Sequence, residues 1–297
     1  EDDDDEDGAP PRRPAAGVAA LPAGAAEGAV TSLAWAPAEG PGTGRAAVAT
    51  LDERTLRLWD LGEEGGPREA GAWELSARRA GAARAAAWDP HRPEVILTVH
   101  GCDILVCDIR QKEPALRVAG AHRGGACSVD ANPNRPFFAA TAGMDRRVAF
   151  WDLRAADSAK QRGPARALTG HDHWVRTARY NRHHDQLLIS GGDDGIVQLW
   201  RCSSVSSAPL LELDGPLEGA GGGEEGGGGG GADPGLDSSR LKSESADAKV
   251  KTFDEHEESV YAVAWSACDA WVFVSLSYDG QVLLNHVPST EKYKILL

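Results

Sequence analysis

Hydrophobic and polar residues alternate in three short runs within residues 168–201. The runs are Trp174–Tyr180, Gln186–Ser190 and Ile196–Trp200, and their lengths are typical of β-strands rather than helices. The turn Asp194-Gly195 between the second and third runs favours a tight hairpin, because glycine accepts a positive φ without steric cost. This stretch therefore predicts an antiparallel unit of three strands.

The same layout recurs along the chain, and two independent markers agree on its register. The first run of each unit ends at Trp35, Trp88, Ala131, Tyr180 or Trp265. The third run ends at a Trp-Asp pair or a variant of it, and the first four of these endings lie about 44 to 49 residues apart. A period close to this is typical of WD repeats, whose units are the blades of a β-propeller. We therefore predict an all-β fold, a WD-repeat β-propeller with five visible blades.

Composition divides the chain into four parts. Residues 1–27 are an acidic run followed by Pro, Ala and Gly, and they predict a disordered lead-in. Residues 28–213 hold four of the repeated units, and residues 214–250 form a Gly-rich acidic insert that we also expect to be disordered. Residues 251–297 are expected to form the last blade and a C-terminal strand. A chain that begins at Glu1 without an initiator methionine suggests a processed or truncated product, or an incomplete gene model.

Charge and cysteine content argue against several classes of protein. The formal net charge is −14, mostly in the lead-in and the insert, and this balance argues against a nucleic-acid-binding surface. No run of about 18 apolar residues is present, so we expect no direct membrane insertion. Five cysteines without paired spacing indicate reduced thiols of a cytoplasmic protein. We predict no cofactor and no metal site, because the neighbouring His171, His173, His183 and His184 lack a completing carboxylate or cysteine.

A Ser-His-Asp set within one unit suggests hydrolase chemistry, but its repetition favours another interpretation. A catalytic triad is needed once, whereas a hydrogen-bond network that satisfies buried polar groups is needed in every blade. We therefore interpret the sets as structural tetrads, predict that the protein is not an enzyme, and expect the first two blades to rely on apolar packing alone. The tetrads are His122, Thr141, Asp145 and Trp151; His171, Ser190, Asp194 and Trp200; and His256, Ser275 and Asp279 with Asn285 in the tryptophan position.

Two segments carry a resemblance to a known family. Residues 171–195 (HDHWVRTARYNRHHDQLLISGGDDG) and residues 256–297, which include SLSYDG and end in KILL, resemble the closing blades of the EARP- and GARP-complex-interacting WD-repeat proteins. The resemblance implies a seven-bladed parent with two further blades before residue 28. It also implies a scaffold for multisubunit tethering complexes in endosomal recycling and endosome-to-Golgi retrograde transport. The expected location is cytoplasmic, peripherally associated with the trans-Golgi network and endosomes.

Two sets of residues are candidates for binding partners. The loops that lead into the first strands carry Asp172, His173 and Trp174 in one blade and Glu257, Glu258 and Tyr261 in the next. Tyr and Trp are common interface anchors, although packing between blades explains Trp174 and Tyr261 equally well.

The alternative function is that of a substrate receptor for a cullin-RING ubiquitin ligase. Two consecutive repeats end in a W-D-x-R pattern, with Cys107 in the Trp position of the first, and such paired endings are similar to those of WD proteins that dock on the ligase's propeller adaptor. Arg110 and Arg154 would supply the ionic contacts.

Overall fold

The computed structural model describes six stretches of the chain. The predicted lead-in lies outside the described residues, and so does the insert up to residue 246. The described residues are 29–37, 47–61, 67–75, 81–155, 163–207 and 247–296.

Nineteen strands form five antiparallel sheets within the described residues, which confirms the all-β prediction. In each sheet the strands are hydrogen-bonded in chain order, so every connection between neighbours is a hairpin. Sheet 1 holds β1 (Ser32–Trp35), β2 (Ala47–Leu51), β3 (Thr55–Asp60) and β4 (Arg68–Glu74), and sheet 2 holds β5 (Ala83–Trp88), β6 (Val95–His100), β7 (Asp103–Asp108) and β8 (Leu116–Val118). Sheet 3 holds β9 (Ala126–Ala131), β10 (Phe138–Gly143), β11 (Arg147–Asp152) and β12 (Arg166–Thr169). Sheet 4 holds β13 (Val175–Tyr180), β14 (Leu187–Gly192), β15 (Val197–Cys202) and β16 (Asp247–Phe253), and sheet 5 holds β17 (Val260–Trp265), β18 (Val272–Ser277) and β19 (Val282–His286).

The core lies between successive sheets. One apolar cluster fills each of the four spaces from sheet 1 to sheet 5, and the first strand of each sheet packs against the first strand of the next. Strands covered on both faces read as continuous buried runs, and β6 (VILTVH) and β10 (FAATAG) are buried at all positions. The stacked sheets therefore share one continuous apolar interior.

The two outermost sheets each keep an apolar face in contact with solvent. In sheet 1 the side chains of Leu33 and Trp35 are exposed, and in sheet 5 those of Val282 and Leu284 are exposed. The opposite face of each of these two sheets is buried against the one neighbouring sheet. Both faces have the apolar composition of a blade interface, and no sheet among the described residues covers either of them.

Two predicted boundaries near the C-terminus are wrong. Residues 247–253 form β16, the outer strand of sheet 4, although we placed 247–250 in the insert and 251–253 in the last blade. The acidic composition of this segment predicts a solvated loop. Asp247 is instead buried, and its carboxylate forms an ion pair with Arg166 at 2.9 Å.

The predicted C-terminal strand is a helix, α1 (Ser289–Leu296). The sequence STEKYKIL lacks a period of two and is rich in helix-forming residues. Glu291 is buried in its first turn, where it pairs with Arg201 of β15 at 2.8 Å and with Lys294 at 3.3 Å. Ile295 packs against the core between sheets 4 and 5. The helix is therefore held by both sheets.

Candidate protein-binding surface

Sheet 3 joins four predicted residues in one buried hydrogen-bond network. The Nδ1 atom of His122 lies 2.8 Å from Asp145, and its Nε2 lies 2.7 Å from the Thr141 hydroxyl. The indole N–H of Trp151 donates to the same hydroxyl oxygen at 2.8 Å. Because the carboxylate can only accept, the Nδ1–H of His122 donates to Asp145, and in that tautomer Nε2 accepts the Thr141 hydroxyl proton. The network ties the turn before β11 to the loop before β9.

Sheet 4 repeats this arrangement. His171 Nδ1 lies 2.9 Å from Asp194, Nε2 lies 2.8 Å from Ser190, and Trp200 donates to Ser190 at 2.8 Å. Burial by itself would raise the pKa of Asp194. The hydrogen bonds from His171 and from the backbone N–H groups of Asp172 and Ile196 outweigh it and hold that pKa below its usual value.

Sheets 5 and 1 carry shorter versions of the network. In sheet 5, His256 lies 3.2 Å from Asp279 and 2.8 Å from Ser275. Asn285 is buried there, and its amide nitrogen donates to no group in the described part of the chain.

The expectation that the first two blades rely on apolar packing alone is wrong for sheet 1. Trp59 donates to the Thr50 hydroxyl at 2.8 Å. Thr50 lies nine residues before Trp59, whereas Thr141 lies ten before Trp151. The connection between β2 and β3 is thus one residue shorter than the connection between β10 and β11. A search of the sequence with the tetrad spacing therefore does not identify Thr50 and Trp59.

A β-bulge occupies the second position of the first strand in four successive sheets. The register of each strand shifts by one residue there, so the second residue has no partner on the adjacent strand. A bulge redirects a side chain away from the pleat. The four bulge residues are Arg84, Cys127, Arg176 and Tyr261. Because the first strands start at the tetrad end of the sheets, these side chains form a row along that end.

Two bulge residues belong to a cluster of exposed aromatic rings that spans sheets 4 and 5. We call His173, Trp174, Arg176, Tyr261 and Tyr278 the aromatic surface. His173 and Trp174 lie 5.2 Å apart by ring centroids, and Tyr261 and Tyr278 lie 4.8 Å apart. The exposed fractions of Trp174, Tyr261 and Tyr278 are 38%, 42% and 71%. The Trp174 and Tyr261 rings are thus partly covered by the protein, and all three rings keep a face that is open to solvent.

Arg176 connects the two halves of the aromatic surface. Its guanidinium donates to Asp193 at 2.6 Å and 2.7 Å and lies 5.3 Å from the Trp174 ring. The hydrogen bonds to Asp193 raise the pKa of Arg176, so its guanidinium stays charged beside the Trp174 ring. The sequence pattern did not identify Arg176 or Tyr278. Each lies next to a recognisable position, since Arg176 follows the first residue of a first strand and Tyr278 precedes the tetrad residue Asp279.

The remaining predicted binding residues lie at the same end of the molecule. Asp172 and Glu257 are exposed, and their backbone N–H groups donate to the tetrad carboxylates Asp194 at 3.0 Å and Asp279 at 3.1 Å. Glu258 is exposed, and its carbonyl accepts the Ser277 hydroxyl at 2.8 Å. The structure thus places all six of these residues on one end of the molecule.

The two arginines of the alternative function lie at the opposite end. Arg110 follows β7 and Arg154 follows β11, so they occupy equivalent positions in neighbouring sheets. Each is exposed and binds the aspartate two residues before it through Nε and Nη2, at 2.9 Å and 2.6 Å for Asp108 and at 2.9 Å and 2.7 Å for Asp152. These bonds lower the pKa of both aspartates.

Within the described ranges, no group of three or more His, Cys, Asp or Glu side chains is arranged to hold a metal ion. His184 instead stacks on Trp271 at 4.7 Å. None of the helices in the described part of the chain is long and apolar enough to cross a membrane.

Comparison with known proteins gives the family. A model described as EIPR1 beta-propeller matches residues 39–200, and one described as WD domain, G-beta repeat, matches residues 248–284. The chain belongs to the EIPR1 beta-propeller family. The prediction of a WD-repeat β-propeller and the resemblance noted in the sequence are both confirmed.

The relatives in this family are longer than the chain. EARP and GARP complex-interacting protein 1 of Homo sapiens is 32% identical over 275 residues, which cover 92% of this chain and 66% of the relative. The Danio rerio EARP-interacting protein homolog is 34% identical over 274 residues, with the same two coverages. The Caenorhabditis elegans EARP-interacting protein 1 is 36% identical over 212 residues, 71% of this chain and 53% of the relative. The chain thus spans just under two thirds of the length of the first two.

Proposed function

We propose that the chain is a non-enzymatic WD-repeat scaffold that binds EARP- and GARP-type tethering complexes. The names of its relatives describe proteins that interact with those complexes. The aromatic surface is the observation that carries the proposal for this chain. Two exposed aromatic pairs lie on one end beside an ordered, half-buried arginine, and Trp, Tyr and Arg are the residues enriched among binding hot spots. Acidic Asp172, Glu257 and Glu258 would form its polar rim.

The absence of enzymatic activity is part of this proposal. Ser190 is fully buried, and its oxygen already bonds to His171 and Trp200. A nucleophile needs access to a substrate carbonyl, which a fully buried oxygen packed against an indole N–H lacks. The same holds for Thr141 in sheet 3. We therefore expect no covalent labelling of Ser190 by a serine-directed phosphonate.

The scaffold would act in endosomal recycling and endosome-to-Golgi retrograde transport, where tethering complexes work. It would reach the trans-Golgi network and endosomes through these partners, as a cytoplasmic protein without insertion into the bilayer. Rigid aromatic anchors suit this role, because they lose little side-chain entropy when a partner covers them.

Capture of the purified tethering complex by immobilised chain tests the proposal. Trp174→Ala with Tyr261→Ala should reduce the captured complex at least about tenfold, since each truncation of a hot-spot ring costs about 1 kcal/mol or more. The matched control is Trp35→Ala with Tyr293→Ala, which removes one Trp and one Tyr of 63% exposure from other faces. Capture that survives the first double variant, or that falls equally in the control, would rule out the aromatic surface as the anchor.

The second candidate function is docking on the propeller adaptor of a cullin-RING ligase. The observation that favours it is the pair Arg110 and Arg154, exposed in equivalent positions at the end opposite to the aromatic surface. Bidentate bonds to the adjacent aspartates orient both guanidiniums toward solvent. Adaptor binding in a pull-down should be lost in Arg154→Ala and kept in the aromatic double variant. Adaptor binding unchanged by Arg154→Ala would exclude this function.

A further inference from the structure

A cavity of about 980 Å³ opens at the tetrad end of sheet 3, apart from the aromatic surface. It lies between the loop before β9, the turn before β11 and the end of β8. Met144 and Trp151 contribute apolar surface to its wall. Its polar lining is dominated by arginine, and we call Arg123, Arg146 and Arg147 the arginine cluster.

The positive charge of the arginine cluster is not neutralised inside the protein. Each of the three side chains is exposed, and no carboxylate among the described residues forms an ion pair with any of them. The lining carboxylate, Asp145, is occupied by His122 and by the backbone N–H groups of Arg123 and Arg147. A fourth lining arginine, Arg117, is already paired with Asp103. Three guanidiniums therefore face a concave space in a chain whose net charge is −14.

Arg146 stands in a backbone conformation that favours glycine. Its φ is 65°, and its N–H donates to the Gly143 carbonyl at 3.2 Å to close the turn before β11. The same turn in sheets 4 and 5 is closed by Gly195, with φ 71°, and Gly280, with φ 81°. The Arg146 side chain thus occupies a turn position at which sheets 4 and 5 have glycine. Strain of this kind collects at ligand sites, where the side chain has a task that glycine cannot perform.

We propose that the arginine cluster binds a short acidic segment of a partner protein. Guanidinium groups bind carboxylates through paired N–H···O bonds, and three of them around one concavity match several successive Asp or Glu side chains. The cavity has room for a few residues of an extended peptide, and Met144, which is half-buried in its wall, can contact an apolar residue between the acids. A long polyanion such as a nucleic acid fits less well, because the part of it that extends beyond the cavity is repelled by a chain of net charge −14. This site is separate from the one in the proposed function and does not depend on it.

Fluorescence anisotropy with labelled heptapeptides tests the proposal on the whole chain. The acidic probe is Glu-Asp-Asp-Asp-Asp-Glu-Asp, the sequence of residues 1–7, and the neutral probe carries Gln and Asn in place of Glu and Asp. The chain should bind the acidic probe alone, and binding should weaken as salt is raised. Arg123→Ala with Arg146→Gly should lower the affinity at least about tenfold, and this variant should fold, because glycine is the residue of the sister turns.

Lys112→Ala with Lys249→Ala is the matched control, since it removes two exposed cations that do not line the cavity. Its affinity should stay within about twofold of the parent chain, because distant exposed charges are largely screened. Equal affinities of the parent chain and the arginine variant would overturn the proposal. So would equal binding of both probes.

Two further measurements separate other occupants. Arginine-dependent binding to phosphatidylserine vesicles that exceeds binding to the acidic probe would replace the peptide with a lipid surface. An affinity that rises about tenfold when residues 1–7 are removed would make the chain's own acidic run the occupant in place of a partner. The Trp174→Ala and Tyr261→Ala variant should bind the acidic probe as the parent chain does. A negative result for acidic-peptide binding can therefore be distinguished from a negative result for tethering-complex binding.

Discussion

The guanidinium of Arg176 lies 5.3 Å from the centre of the Trp174 ring while it donates two hydrogen bonds to Asp193. The β-bulge at Arg176 makes this contact possible, because it turns the side chain out of the pleat and toward the loop that carries Trp174. Asp193 fixes the guanidinium in one orientation. Trp174 is therefore held beside an ordered cation before any partner arrives.

Removing this cation should weaken partner binding. We expect Arg176→Ala to reduce affinity for the tethering complex by about 1 to 2 kcal/mol, through loss of the cation–π contact and of the order it imposes on Trp174. Arg176→Lys should have an intermediate effect, since lysine keeps the charge but not the fork that binds Asp193. Biolayer interferometry measures both. Arg84→Ala removes the same charge at the equivalent bulge of sheet 2, and an equal loss there would contradict the assignment.

The tetrads should contribute unequally to stability. Ser190→Ala leaves both the Trp200 N–H and His171 Nε2 without a partner and should lower the free energy of unfolding by about 3 kcal/mol. Ser275→Ala disturbs His256 alone and should cost about half as much. Urea unfolding followed by circular dichroism gives both values. Equal losses would mean that the indole bond adds nothing to the network.

The same networks should make the fold sensitive to acid. Hydrogen bonds hold the pKa of Asp194 and of Asp145 below that of a free Asp carboxyl, so folding favours the ionised forms. Their stabilisation is complete above about pH 4, the pKa range of an unfolded Asp, and is lost as the pH falls through the lower folded values. Asp194→Asn should thus be less stable than the parent at neutral pH, and the difference should shrink at about pH 3. A difference that is independent of pH would show that Asp194 acts without its charge.

Arg146→Gly should separate stability from binding. Relief of the positive φ should raise the free energy of unfolding by about 1 kcal/mol, while affinity for the acidic peptide falls. The converse change, Gly280→Ala, should lower stability by a similar amount, because its new Cβ would contact nothing and only the φ of 81° opposes it. Thermal unfolding measures both. A loss of stability in Arg146→Gly would contradict the strain argument.

The uncovered faces of sheets 1 and 5 should make the chain associate with itself. Leu33, Trp35, Val282 and Leu284 place apolar side chains in water on two separate faces. We expect sedimentation velocity at micromolar concentration to show species larger than the monomer. Leu33→Ser with Trp35→Ser should shift the distribution toward the monomer. A monodisperse monomer that unfolds cooperatively would contradict this expectation.

The sequence predicts the blades well because their markers are local. First strands end at Trp88 and Tyr180 as expected, and the runs in residues 168–201 match β13 to β15 to within two residues. Period and turn chemistry act over a few residues, so they can be read without knowledge of the fold. The tetrads are found for the same reason, since a fixed spacing follows from strands of fixed length.

The candidate sites are harder to predict because they form between units. Tyr278 meets Tyr261 only after β17 and β18 pair, which the Tyr278 N–H bond to Ser259 at 3.2 Å completes. The arginine cluster combines a loop before β9 with a turn before β11, and a bulge such as the one at Cys127 leaves no mark in a six-residue strand. The short helix α1 also depends on a distant partner, Arg201, for its buried glutamate.

The bulges separate the exposed side chains of the tetrad end from the hydrogen-bonded pairing of the strands. Ala83 pairs with His100 and Ala85 with Val99, so the ladder is continuous across Arg84 and does not include it. The same is true of Val175 and Thr177 around Arg176, whose partners are Gly192 and Gly191. Each bulge residue therefore stands outside the strand pairing of its sheet, and the pairing does not depend on which side chain is present there. The row along the tetrad end thus presents four different surroundings, built on Arg84, Cys127, Arg176 and Tyr261, from one repeated backbone geometry.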